Sequence, residues 1–133
     1  MTLNAPLGAA MIHAALLMFM VIGLAILVIR QRRRASVGIG DGGDKALGRA
    51  IRAHGNFTEY APFAIGAYVL LALGGGSAAL IHTLGVVFLV GRVAHAAGLS
   101  HHEGASVGRG IGVATTFTVL AIAGVRLLVL ALE

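Results

Sequence analysis

The first 29 residues carry no charged side chain, and a second charge-free run extends from Tyr60 to Gly91. Few folds accommodate such stretches. A membrane-spanning helix needs about 20 apolar residues at 1.5 Å of rise each, and both runs are long enough. Only 11% of the 133 residues are charged and 58% are hydrophobic, whereas roughly a quarter of a soluble domain is charged. The chain therefore reads as all-α, an integral membrane four-helix bundle forming one domain over residues 1–133. The first segment has no basic region ahead of its apolar core, and its basic cluster follows instead. It reads as a retained helix, not a cleaved signal.

Four helices are expected, over about 7–29, 45–73, 78–97 and 107–132. The first ends in "RQRRR" and the second in the turn "GGGS". Arg109 and Arg126 bracket the middle of helix four, ~26 Å apart on an ideal helix. That separation suits two arginines snorkelling to opposite interfaces. The loop after helix one holds most of the positive charge, and the loop after helix two holds none. The positive-inside rule then puts the first loop in the cytoplasm and both termini outside.

The net charge of +5 has this topological reading. No aromatic-basic platform accompanies it, so nucleic acid is not an expected partner. There is no cysteine, hence no disulfide and no protein thiol, and any thiol chemistry must come from a ligand. The linker "ASVGIGDGGDKALG" has phosphate-loop glycines but no preceding strand and no Lys-Ser/Thr ending. It reads as a hinge, with Asp44 capping helix two. Gly104, Gly108 and Gly112, spaced four apart, suit close helix contact.

Helix two presents a length problem. Ala61 to Leu73 gives only 13 residues, roughly 20 Å of helix against a hydrocarbon core of about 30 Å. Counting back ~20 residues from Leu73 reaches His54. His54, Asn56 and Glu59 are thus expected at membrane depth, where polar groups are costly and turn to the protein interior. Arg49, Arg52, Asn56 and Glu59 follow an i, i+3, i+7, i+10 pattern. At ~100° per residue they share one face within about 80° of arc, with Tyr60 bordering it. His54 lies roughly 140° from Arg49, facing another helix or subunit.

An Arg52–Glu59 ion pair across two turns would be the plainest reading of this stripe. Three other groups argue for more. Arg92 and His95 lie at i, i+3 near the end of helix three, Arg30 ends helix one, and Arg109 begins helix four. In this topology all four helices bring a basic group to the same level, against one expected buried acid, Glu59. An excess of positive charge in a low-dielectric cleft calls for an anion. Arginine forks suit carboxylates, so a ligand with several carboxylates and one ammonium group fits.

At these residues the sequence resembles a known family. "RAIRAHGNFTEYAPFAI" is similar to the signature of the MAPEG proteins, the membrane-associated proteins in eicosanoid and glutathione metabolism. The "GDGG" linker and "GRVAHAAGLSHH" at the end of helix three agree with it, and the likeness is to the small bacterial, YecN-like branch. The resemblance implies a homotrimer in the bacterial inner membrane, with glutathione as co-substrate between subunits at the cytoplasmic end. Residue by residue it implies that Arg52, Asn56, Glu59 and Tyr60 hold glutathione and that His54 reaches it from the adjacent subunit. Arg30 matches a basic residue ending helix one, and Arg92 an arginine of helix three. Glutathione-using members carry tyrosines where this chain has His95 and Leu99, and an arginine early in helix four, where Arg109 stands.

The expected activity is that of a glutathione transferase or peroxidase acting on hydrophobic electrophiles from the bilayer. Arg109, and second Arg30 from a neighbour, would stabilise the thiolate. Arg49, Arg52, His54, Asn56, Glu59, Tyr60, Arg92 and His95 would hold the tripeptide. Two other classes compete: a non-catalytic lipid-binding or scaffold member of the same fold, and a small multidrug-type transporter, for which helix one lacks the deep acid. His101, His102 and Glu103 read as a solvated loop, not a metal site, because zinc needs about four well-placed ligands. His13 and His82 read as packing or hydrogen-bonding residues. Thr115, Thr116 and Thr118 are expected to bond their own helix carbonyls.

Overall fold

A computed structural model describes residues 4–101 and 106–133. It contains four helices, α1 (Ala5–Ala35), α2 (Lys45–Leu73), α3 (Ala78–His101) and α4 (Val107–Leu132). Among the described residues there is no strand. The chain is an all-helical membrane bundle. α1, α3 and α4 are each long and apolar enough to cross a membrane. The polar first half of α2 keeps it outside that group, although at 29 residues it is about 44 Å long.

Helix boundaries follow from local chemistry. Asn4 caps α1 by accepting from the Leu7 N–H at 3.0 Å. α1 then runs six residues beyond the expected Ile29, because an arginine cluster does not end a helix. Its charges favour the negative C-terminal dipole and continue the last turns. Ser36 stops it by adopting a left-handed conformation (φ 55°), with its N–H returned to Arg32 and Arg33 carbonyls. Asp44 caps α2 as expected, accepting from the Leu47 N–H at 2.8 Å. Arg34 reaches both Asp44 oxygens at 2.7 Å. The Leu47 N–H first, and then Arg34, hold that carboxyl below its usual value. α3 continues past the expected residue 97 to His101. α4 is capped by Ser106 and spans its expected range.

The bundle is rhomboid. α2 and α3 touch along its short diagonal, α1 packs against both on one flank, and α4 packs against both on the other. Among the described residues α1 and α4 do not meet. Leu17 of α1, Phe57, Tyr68 and Leu71 of α2, Ile81 and Phe88 of α3 and Val119 of α4 form the core, each at most 2% exposed. Phe57 is therefore a core residue, whereas Phe63 is 68% exposed, facing what the sequence marks as lipid.

The α3–α4 seam is made of small residues. A Cβ on Gly112 would meet His95 and stand 2.7 Å from the Gly91 carbonyl oxygen. A Cβ on Gly108 would lie 2.7 Å from the Ala94 carbonyl oxygen, and one on Gly98 2.9 Å from the Arg109 nitrogen. Glycine lets these backbones approach. Two of the three expected spacing residues, Gly108 and Gly112, thus face the partner helix. Gly104 lies outside the described residues.

Candidate functional site

The groove opens where α2 and α4 begin and α3 ends. A hollow of about 610 Å³ is lined by Arg52 and Asn56 of α2, His95 and Leu99 of α3, and Arg109, Gly110, Val113 and Ala114 of α4, with Ser106 at its rim. A second hollow of about 370 Å³ shares Arg52, Leu99 and Arg109, and adds Asp41, Lys45, Gly48 and Arg49. The two form one continuous groove with a cationic outer half. Its inner half mixes cations with an apolar wall. The volume suits a ligand of several hundred cubic ångströms.

Beneath the groove lies Arg92, the largest fully buried side chain, at 1% exposure. Its guanidinium donates to Asn56 Oδ1 at 2.6 Å and to Thr116 Oγ1 at 3.1 Å. The Thr116 hydroxyl in turn donates to the Gly112 carbonyl at 2.6 Å. One arginine thereby ties α2 and α4 to α3. Tyr60 lies with its ring centroid 6.0 Å from the guanidinium carbon, within cation–π range, and its other contact is an edge-on ring of Phe117. Arg92 Nε and His95 Nδ1 are buried without a hydrogen-bond partner.

The structure brings Arg49, Arg52, Asn56, His95 and Arg109 together around the groove, with Arg92 below. It does not bring in the rest. Glu59, expected as a buried acid, is exposed in the single chain, because the stripe's edge at this turn points past α4. It receives a long 3.4 Å bond from Asn56 Nδ2. No ion pair joins it to Arg52, so the plain ion-pair reading of the stripe is not what forms. His54 lines neither hollow. It shares a helical face with Thr58, Ala61 and Ile65, which line a small α1–α2 crevice. This matches its expected direction off the stripe. Arg30 is exposed on α1, the flank away from α4, and also lines neither hollow.

Thr116 is the residue that sequence reasoning missed. Its bond to its own helix was expected and is present, as are the Thr115 bonds to the Ile111 and Gly112 carbonyls. Its second role, accepting from Arg92, depends on which α3 residue stands opposite. No spacing rule within α4 reveals that. Among the described residues no group of three or more metal-ligating side chains occurs. His102 and Glu103 lie outside the described residues, as does the side chain of His101.

The comparisons with known proteins complete this picture. The sequence pattern of the MAPEG family matches residues 10–129. The chain belongs to the MAPEG family. It is 36% identical over 90 residues to the inner membrane protein YecN of Escherichia coli strain K12, covering 68% of this chain and 69% of that protein. The YecN of Escherichia coli O6:H1 matches to the same extent. No solved structure matches the chain. For a MAPEG protein, the motif "RAIRAHGNFTEYAPFAI" supplies Arg49, Arg52 and Asn56 to the groove, and Arg92 anchors it through Asn56.

Proposed function

We propose that this MAPEG chain binds glutathione in the α2–α3–α4 groove and acts as a membrane-bound glutathione transferase or peroxidase on hydrophobic electrophiles. The supporting observation is the groove itself. Three helices converge Arg52, Asn56, His95 and Arg109 on one hollow, with Leu99, Val113 and Ala114 as an apolar wall beside them. Cationic forks receive the tripeptide's two carboxylates, and the apolar wall receives a reactant dissolved in lipid.

A thiol with a free pKa near 8.5 is mostly protonated at neutral pH. A guanidinium beside the sulfur stabilises the thiolate, which is the nucleophile. Arg109 is assigned that role, since it lines both hollows. Arg49 and Arg52 orient the carboxylates, and Asn56 donates a hydrogen bond. Glu59, exposed at the groove's flank, pairs the ammonium group. Arg30 and His54 face away from this groove, so they serve the site only from a second copy, in the homotrimer that the family implies. The proposed location is the bacterial inner membrane, as the printed name of the YecN relatives has it, with the groove on the cytoplasmic side and both termini outside.

Titration of the purified protein with glutathione, followed by ultraviolet difference absorbance, tests the reading. A saturable thiolate band that is lost in R52A is expected. Absence of the band together with absence of calorimetric binding would overturn it. A second reading, a non-catalytic lipid-binding member of the fold, draws on the separate apolar groove of about 400 Å³ lined by Leu80, Ala121, Ile122, Val125 and Val129. Saturable lipid binding without glutathione dependence would favour it.

A further inference from the structure

Asn56 is the one groove residue whose orientation is dictated from below. A guanidinium has five donors and no acceptor. Against Arg92 the Asn56 amide must therefore present its oxygen, as the 2.6 Å contact records, and its NH₂ is turned the other way, toward the Glu59 side. An asparagine amide is ordinarily ambiguous between its two flips, and here chemistry removes the ambiguity. Arg92 is in turn held by Thr116, itself fixed by the Gly112 carbonyl. Gly112 sits where α4 meets the Gly91 backbone of α3.

We propose that Thr116 and Arg92 are positioning residues that hold the Asn56 oxygen inward, so that Asn56, which lines the groove, is left with its NH₂ donor for a ligand. The atom that Asn56 meets on a ligand is then an acceptor, a carboxylate or carbonyl oxygen. A ligand N–H set against the Asn56 NH₂ itself, rather than against the Glu59 carboxylate beside it, would face a donor and be rejected. Neither Arg92 nor Thr116 lines the groove. Arg92 thus supports binding without touching the ligand, and its buried guanidinium donates its hydrogen bonds to the Asn56 and Thr116 oxygens.

Two measurements on the full chain in detergent test this. The first arm uses glutathione as the probe and rests on the function proposed above. T116V keeps the shape of Thr116 but removes its hydroxyl, freeing Arg92 and then Asn56. It is expected to weaken calorimetric glutathione binding about fivefold, the equivalent of one hydrogen bond of ~1 kcal/mol. T116S, which keeps the hydroxyl, restores wild-type binding. Equal binding by T116V and wild type overturns the proposal.

The second arm needs no ligand. N56D places a carboxylate against Arg92, so its thermal midpoint should rise when Arg92 is present and fall in an R92M background, where the half-buried carboxylate loses its partner. R92Q replaces R92M if the latter does not fold. A shift of the same sign and size in both backgrounds overturns the proposal. If the wild type takes up no glutathione, the functional reading fails while this inversion still decides the positioning role.

Discussion

At one end of the bundle, Arg49, Arg52 and Arg109 ring a hollow above buried Arg92. At the other, His13 of α1 meets His82 of α3 through a 3.2 Å ring-nitrogen contact, with Tyr68 edge-on to His13 and bonded to the Leu84 carbonyl at 3.3 Å. The second cluster is made of rings packed on one another. A Cβ on Gly85 would collide with the His13 ring. Each end leaves a buried ring nitrogen without a partner, His95 Nδ1 and His13 Nδ1. Several arginines converge on one hollow at the first end, whereas Arg126 alone lines the hollow beside α4 at the other. Polar groups inside an apolar bundle must find partners. Rings that contact one another across helices mark packing, whereas donors gathered around a hollow mark a binding place.

The strongest way to break this contrast is at the seam under the groove. G112V pushes a branched side chain into His95 and the Gly91 backbone, which cannot move aside as a flexible side chain can. We expect a loss of about 3 kcal/mol or more, read as a large drop in the thermal midpoint. Gly124, whose added Cβ meets nothing within 4 Å, tolerates alanine within about 1 kcal/mol.

Next in size is chemistry. If Arg109 stabilises the thiolate, R109A raises the bound thiol's pKa by about one unit and lowers the thiolate band roughly three- to fivefold near neutral pH. H82A, at the other end, should leave the band unchanged. An equal loss in both variants would erase the distinction between the two ends. H13F, which removes the ring contact to His82 while keeping an aromatic ring, is expected to lower stability by about 1 kcal/mol with glutathione binding intact.

The smallest effect concerns acid. Asp44, at the groove end, has its carboxyl held below the ordinary value of 3.8. A depressed folded-state pKa means stability that is fully present above the ordinary value and lost as pH falls through the lower one. The midpoint of the wild type should therefore exceed that of D44A above about pH 4, and the gap should close in stronger acid. A gap that widened below pH 4 would show that another group governs the acid limb.

Much of this fold was legible in the sequence because it is set by local rules. The charge-free runs gave the helices, Asp44 gave the start of α2, and the stripe Arg49–Arg52–Asn56 gave the wall of the groove. The end of α1 was misplaced because "RQRRR" changes solvent preference without changing helix propensity. Glu59 is exposed in the single chain, since periodicity gives a direction around α2 but not which neighbour fills it. Thr116 and the His13–His82 pair were hidden for a related reason. Partners 24 and 69 residues apart are fixed by packing, and no window along the chain contains both.

The glycine seam has one more consequence. Where Gly91, Gly98, Gly108 and Gly112 bring α3 and α4 together, peptide groups meet one another and the Ser106, Thr115 and His95 side chains at close range, which leaves little room for rotamers to exchange. A displacement of α4 along its axis cannot be absorbed there by side chains repacking, as it would be between leucines. Thr116, bonded to Arg92, links α4 through it to Asn56 of α2. The seam behaves as a stiff lever, and a force applied to α4 from the surrounding bilayer, such as a change in its thickness, would be felt at the groove.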